Sequence, residues 1–243
     1  MEKLLVSAFD FLLSSDPGDI RRGLRHIEGM LVHLCRASGK KNHAGQVNDP
    51  ALDMFVRLQA NFEYNLAIRL ITCLEGLLAK EPSSHIDSLC MSALQVLQGV
   101  LLLHPPSRRL FARKVNMTVL LDLLEPHDEK EDLELRQVTV TTILCAVAGQ
   151  PENMRRLEEL EGISILAALF TTKSSPKTLK VSVLEFLCYY LMPETNQQPQ
   201  QQHKEDDSHL RTPAEKEAIL SAHIPNVNSI TKEMKSLNIV PSY

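Results

Sequence analysis

The chain has 243 residues, 44% of them hydrophobic and 23% charged, with a formal net charge of −4. That much apolar material excludes a globally disordered polypeptide, and the absence of a basic excess removes the electrostatic footprint of a nucleic-acid binder. Glycine is scarce (9), aromatics make up 5% and tryptophan is absent, a balance that favours helices over a sandwich or barrel.

Prolines divide the chain, because a proline inside a helix costs about 3 kcal/mol and therefore marks a start or an end. Between them apolar residues recur at i, i+3, i+4 and i+7. The N-terminal MEKLLVSAFDFLL has one Lys, early acids and no long apolar core with a cleavage site. It reads as a helix over 3–13 rather than a signal peptide. A second helix spans 17–37, with Asp16 before Pro17 as its cap. Residues 38–49, SGKKNHAGQVND, read as a mobile polar loop. Helices follow at 50–60, 62–80 and 85–104, the last opened by Ser84 with Asp87 three residues on.

Further helices are predicted at 106–113, 116–125, 130–149, 152–159, 162–171 and 176–192. Within 130–149 the run Val138-Thr139-Val140-Thr141-Thr142-Ile143 alternates like a strand. The acidic stretch from Asp128 to Glu134 argues instead for a helical first turn. Residues 194–209, ETNQQPQQQHKEDDSH, contain no apolar side chain and read as disordered. Beyond them Thr212-Pro213-Ala214-Glu215 has the form of a capping box for a helix over 213–222, followed by one over 226–237. The expected organisation is a helical domain over 1–193, a linker over 194–211 and a helical segment over 212–243.

An internal repeat supports helix throughout. A shift of about 46 residues places Leu94 on Val140, Leu97 on Ile143, Pro105 on Pro151, Ser107 on Asn153, Arg109 on Arg155 and Leu120 on Leu166. Each copy reads as a long apolar helix, a proline-marked turn, a short basic helix and a Leu-rich helix. The expected fold is therefore all-α, an armadillo- or HEAT-like repeat stack in which each unit buries its apolar faces on its neighbours.

The sequence holds little catalytic chemistry. It has no GxGxxG, GxxxxGK[ST] or GxSxG motif. His26 and His33 share a helix face but lie about two turns apart, too far for one metal. Cys35, Cys73, Cys90, Cys145 and Cys188 are odd in number and lie in apolar runs, outside any CxxC. They read as small buried hydrophobes in a reducing compartment. The apolar runs from Val138 and Val181 are too short to span a bilayer. No catalytic residue, metal, cofactor, nucleic acid or membrane insertion is expected.

Basic clusters are the more informative signal. Arg21-Arg22 with Arg25, Arg108-Arg109 with Arg113-Lys114, and Arg155-Arg156 each lie on or beside a helix. They read either as solvated helix surface or as guanidinium groups presented to carboxylates or phosphates of a partner. On the third helices Asp122, Ser164, Glu185 and Tyr189 are candidates for an inner partner-binding face, flanked by Arg108, Arg109 and Arg155. Core packing is the alternative role of Tyr189. Ser175-Pro176 and Thr212-Pro213 read as helix caps or as proline-directed phosphate acceptors.

The stretches RRGLRHIEGMLVHL from Arg21, GVLLLHPPSRRLF from Gly99, LEFLCYYLMPE from Leu184 and RTPAEKEAIL from Arg211 resemble a fungal family of cell division control proteins of the septation initiation network. This is the small non-enzymatic family, unrelated to the dual-specificity phosphatases that share its number. The resemblance runs in order over nearly the whole chain. It implies a non-catalytic scaffold that binds a germinal-centre (Ste20-like) protein kinase in the cascade controlling septum formation and cytokinesis. It also implies a cytoplasmic protein recruited to the spindle pole body. A generic armadillo-like adaptor for a GTPase or cytoskeletal protein is the competing reading.

Overall fold

The structure, a computed structural model, describes residues 1–38, 49–125, 133–194, 210–225 and 227. Among these every regular element is helical, as composition predicts. The chain divides into two compact units, Met1–Leu110 and Phe111–Tyr243.

In the first unit α1 (Glu2–Leu12) pairs with α2 (Pro17–Ser38), and α4 (Leu66–Leu78) pairs with α5 (Ser84–Leu103). α1 also lies on α4 and α2 on α5, while α3 (Pro50–Gln59) rests against α2. The spacing of apolar residues dictates these faces. α1 buries Leu5, Ala8, Phe9 and Leu12, and α2 buries Ile20, Leu24, Ile27, Leu31 and Leu34, each a single helical stripe. Each fully buried Leu contributes roughly 1.5–3 kcal/mol. Gly23 lets α1 and α2 cross closely, because a Cβ there would stand 2.9 Å from Phe11 Cβ and 3.0 Å from the Ala8 carbonyl oxygen. α5 is long and apolar enough to cross a membrane by length and composition, yet Leu89, Leu94, Leu97 and Leu101 are spent on the unit's core.

Two segments depart from the sequence reading. The helix expected over 62–80 is broken: Phe62–Tyr64 is a 3-10 turn and Asn65 is extended, capping α4 through Oδ1, which accepts the Ile68 N–H at 3.1 Å. The break is stabilised by side chains standing in for backbone. Gln59 donates to the Tyr64 carbonyl (3.1 Å) and accepts from Leu66 N–H (2.7 Å), and Asn65 Nδ2 donates to the Gln59 carbonyl at 2.7 Å. The helix expected over 106–113 is a 3-10 helix, Pro105–Ala112. The cap of α5 is Ser83, whose Oγ accepts the Ile86 N–H, rather than Ser84.

The second unit holds α6 (Lys114–Asp122), α7 (Leu133–Val147), α8 (Pro151–Glu159), α9 (Gly162–Thr171), α10 (Lys177–Leu191) and α11 (Pro213–Ser221). α10 lies against α7 and α9, and α11 docks on α9 and α10. The strand-like run in α7 is accommodated as helix. Thr139 and Thr142 are buried, and each hydroxyl donates to the carbonyl four residues back, Leu135 at 2.8 Å and Val138 at 2.9 Å. The loop expected over 38–49, apart from its ends, and the Gln-rich stretch over 195–209 lie outside the described residues, as does the helix expected over 226–237 apart from Val227.

Candidate functional site

The seven residues proposed from sequence to meet a partner take up different roles. Arg108 and Arg109 belong to the first unit. Arg108 is half-buried and its Nε donates to the Leu101 carbonyl at 3.0 Å, whereas Arg109 is exposed. The other five lie in the second unit. Asp122 is exposed at the end of α6, its carboxyl pushed up by partial desolvation and then by Glu125. Ser164 is half-buried on α9 and Glu185 exposed on α10. Tyr189, one turn further along α10, accepts the Gly149 N–H on its hydroxyl at 2.7 Å. Gly149 sits at φ 66°, where a side chain would be strained, so this tie fixes the turn after α7.

Arg155 is not a surface cation. Its side chain is 13% exposed, and Nη2 lies 2.6 Å from Glu194 and 3.3 Å from Glu158. Around it the structure assembles an ion cluster from segments far apart in sequence. Lys216, 1% exposed, directs Nζ at Glu194 Oε1 (3.0 Å), the Tyr190 carbonyl (2.8 Å) and the Met192 carbonyl (2.7 Å), which uses all three of its protons. Arg211 pairs through Nε with Glu158 at 2.8 Å and donates its backbone N–H to Glu194 at 3.0 Å. The Tyr190 hydroxyl donates to Glu158 at 2.8 Å.

Burial sets the proton chemistry of this cluster. Desolvation, then the Glu158 carboxylate, pushes the Tyr190 phenol well above its ordinary value. Desolvation also lowers Lys216, against the support of Glu194. The Tyr190 phenol thus keeps its proton for Glu158 near neutrality. The arrangement therefore acts as a clamp holding α11 and the chain before it onto α10. Thr212 completes it at the exposed start of α11. Its Oγ1 accepts the Glu215 N–H while Glu215 accepts from the Thr212 N–H at 2.8 Å, a full capping box that depresses the Glu215 carboxyl. Ser175 does not cap α10, whose N-cap position is Pro176 with no side-chain bond.

Sequence reasoning missed Glu158, Tyr190, Glu194, Arg211 and Lys216 as members of one site. A signal was present: Tyr190 and Glu194 lie in LEFLCYYLMPE, and Arg211 and Lys216 in RTPAEKEAIL.

The first unit holds a groove of about 760 Å³ between α2 and α5. Its rim carries Arg21, Arg25 and Arg36 from α2, and Cys35 opens onto it. Cys35 is exposed, contrary to the expectation that all five cysteines are buried; Cys145 and Cys188 are partly exposed as well. Position 35 falls on the solvent side of α2, next to the buried Leu34. Cys73 and Cys90 are buried, and desolvation pushes both thiols up to about 12. Among the described residues no three His, Cys, Asp or Glu side chains gather as a metal site.

Two comparisons bear on this architecture. A family model described as "Cell division control protein 14, SIN component" matches residues 1–210. A relative from Schizosaccharomyces pombe, "Cell division control protein 14", is 27% identical over 242 residues, covering 96% of this chain and 94% of the relative. No solved structure matches the chain.

Proposed function

The chain belongs to the cell division control protein 14 family, a component of the septation initiation network, and from that premise we propose that it is a non-catalytic scaffold for a germinal-centre (Ste20-like) protein kinase. The carrying observation is the family match over residues 1–210. It extends over both units and reaches the stretch that enters the ion cluster.

The local architecture supports this reading. The two segments paired by the 46-residue shift have a matching order of elements, α5, the 3-10 helix and α6 in one and α7, α8 and α9 in the other. The matched polar positions Ser107 and Asn153 are both buried, and each ties its turn to the end of the preceding long helix. Ser107 meets His104 at 2.8 Å and Asn153 donates to the Ala146 carbonyl at 2.7 Å. That correspondence supports the armadillo- or HEAT-like reading.

The scaffold acts by binding one kinase conformation more tightly than the other, the only way in which it shifts that equilibrium. The favoured state would be the one in which the regulatory helix brings its Glu to the ATP-site Lys. Recruitment to the spindle pole body follows from the same family reading. Titration of the purified chain into purified kinase is expected to give saturable binding and raised substrate phosphorylation. Binding without a change in activity reduces the role to anchoring. A pulldown whose main stoichiometric partner is a GTPase or cytoskeletal protein overturns the reading.

A further inference from the structure

The groove between α2 and α5 combines a helix-length strip, an apolar floor and a cationic rim. The two helices run alongside one another in the same direction, with Arg21 meeting His85 at 3.1 Å near their starts and Leu31 meeting Gly99 near their ends. The lining runs from residue 21 to 36 on α2 and from 88 to 99 on α5, a length of about 16–22 Å at 1.5 Å per residue. Three to four turns of one helix fill such a strip.

Its floor is apolar, with Leu31 and Val96 buried and Val32 43% exposed. Its α5 wall is mostly polar and small, Ser88 and Ser92 with Gln95, while Gly99 lets Leu31 of α2 pack closely. Its rim is cationic. Arg25 and Arg36 are exposed and, among the described residues, pair with no carboxylate; Glu28 is the acid that lines the groove.

An apolar trough flanked by unpaired guanidinium groups selects its occupant. Helix-in-groove recognition reads apolar anchors at i, i+3, i+4 and i+7, and Arg forks bind carboxylates in bidentate fashion. We propose that this groove docks an amphipathic helix of the kinase partner whose apolar stripe is flanked by Asp or Glu. The proposal rests on the scaffold reading above and adds where, and by what chemistry, the partner is held.

Cys35 supplies a reporter within the groove, since it is exposed while Cys73 and Cys90 are buried with raised thiol values. The experiment follows alkylation of Cys35 by mass spectrometry in the full chain, alone and with purified full-length germinal-centre kinase. The free chain is expected to alkylate at Cys35 at least tenfold faster than at Cys73 or Cys90, and kinase to slow Cys35 at least tenfold. Arg25→Glu with Arg36→Glu is expected to weaken kinase binding at least tenfold, and Ser92→Trp, which fills the trough, to do the same. Arg25→Lys with Arg36→Lys, which keeps the charge and loses the fork, should bind more weakly than the parent and more tightly than the charge reversal.

Absence of any complex overturns the scaffold reading. A complex in which Cys35 reacts at its free rate, or one indifferent to both the charge reversal and Ser92→Trp, leaves that reading intact and overturns the groove. Slow alkylation in the free chain, or shielding that rises with its own concentration, assigns the groove to this chain itself and also overturns the proposal.

Discussion

Two sets of basic residues, one in each unit, are used in opposite ways. In the second unit Arg155, Arg211 and Lys216 face Glu158 and Glu194, and all but Arg211 are largely withdrawn from water. In the first unit Arg25 and Arg36 stand exposed over an apolar trough. A buried cation must be paired, because desolvating a lone charge is prohibitive, so the second set belongs to the fold. An exposed cation beside apolar surface contributes little to the isolated chain and stays available to a partner. Sequence alone ranks both sets as basic clusters on helices; burial separates them.

The largest expected effect breaks the clamp. Lys216→Met leaves Glu194 and two carbonyls short of a buried partner, and loss of one member of a buried pair costs about 3–5 kcal/mol. Hydrogen exchange is expected to show α11 and the end of α10 opening, with α1, α2, α4 and α5 protected as before. Unchanged protection of α11 would remove the structural half of the contrast. A smaller effect is expected from Thr212→Ala, which removes the capping box at about 1 kcal/mol. Phosphate on Thr212 would disrupt the same box, since its hydroxyl is 2.8 Å from the Glu215 carboxylate.

A pH dependence is expected in the first unit. His104 is buried, bonded to Ser107, and lowered by desolvation. Below the ordinary imidazole value the unfolded chain binds a proton that the folded one resists, so stability falls as pH drops through about 6.5 toward the lowered folded value. His104→Gln should flatten that slope in thermal unfolding followed between pH 7 and 5. The smallest effect sharpens the contrast from the other side. Arg25→Glu with Arg36→Glu should change stability by no more than about 0.5 kcal/mol, read as an unshifted denaturant midpoint. A large loss would mean that those arginines too are structural.

Much of the fold was legible because apolar periodicity is local. α1, α2 and α10 each declare a buried face through residues three and four apart, and Pro17, Pro151 and Pro213 mark starts that the structure keeps. The misses share a cause. The break at Asn65 depends on Gln59 replacing backbone partners across the turn, which propensity does not register. The strand-like run in α7, by contrast, was read as helix and is helix.

The site was less legible still. Arg155 meets Glu158 at a helical spacing, but its shorter contact is to Glu194, and Lys216 reaches Tyr190 and Met192 from a separate segment. No spacing rule links such residues. The groove was half visible: the basic face of α2 could be read from Arg21, Arg22 and Arg25, but its apolar floor needs α5 beside it.

The most direct test of the scaffold account is sedimentation of the purified chain with purified germinal-centre kinase, alongside the chain carrying Arg25→Glu and Arg36→Glu. The account predicts a saturable complex for the parent chain and at least tenfold weaker association for the equally stable variant. A parent chain that sediments independently of the kinase at micromolar concentrations would contradict it.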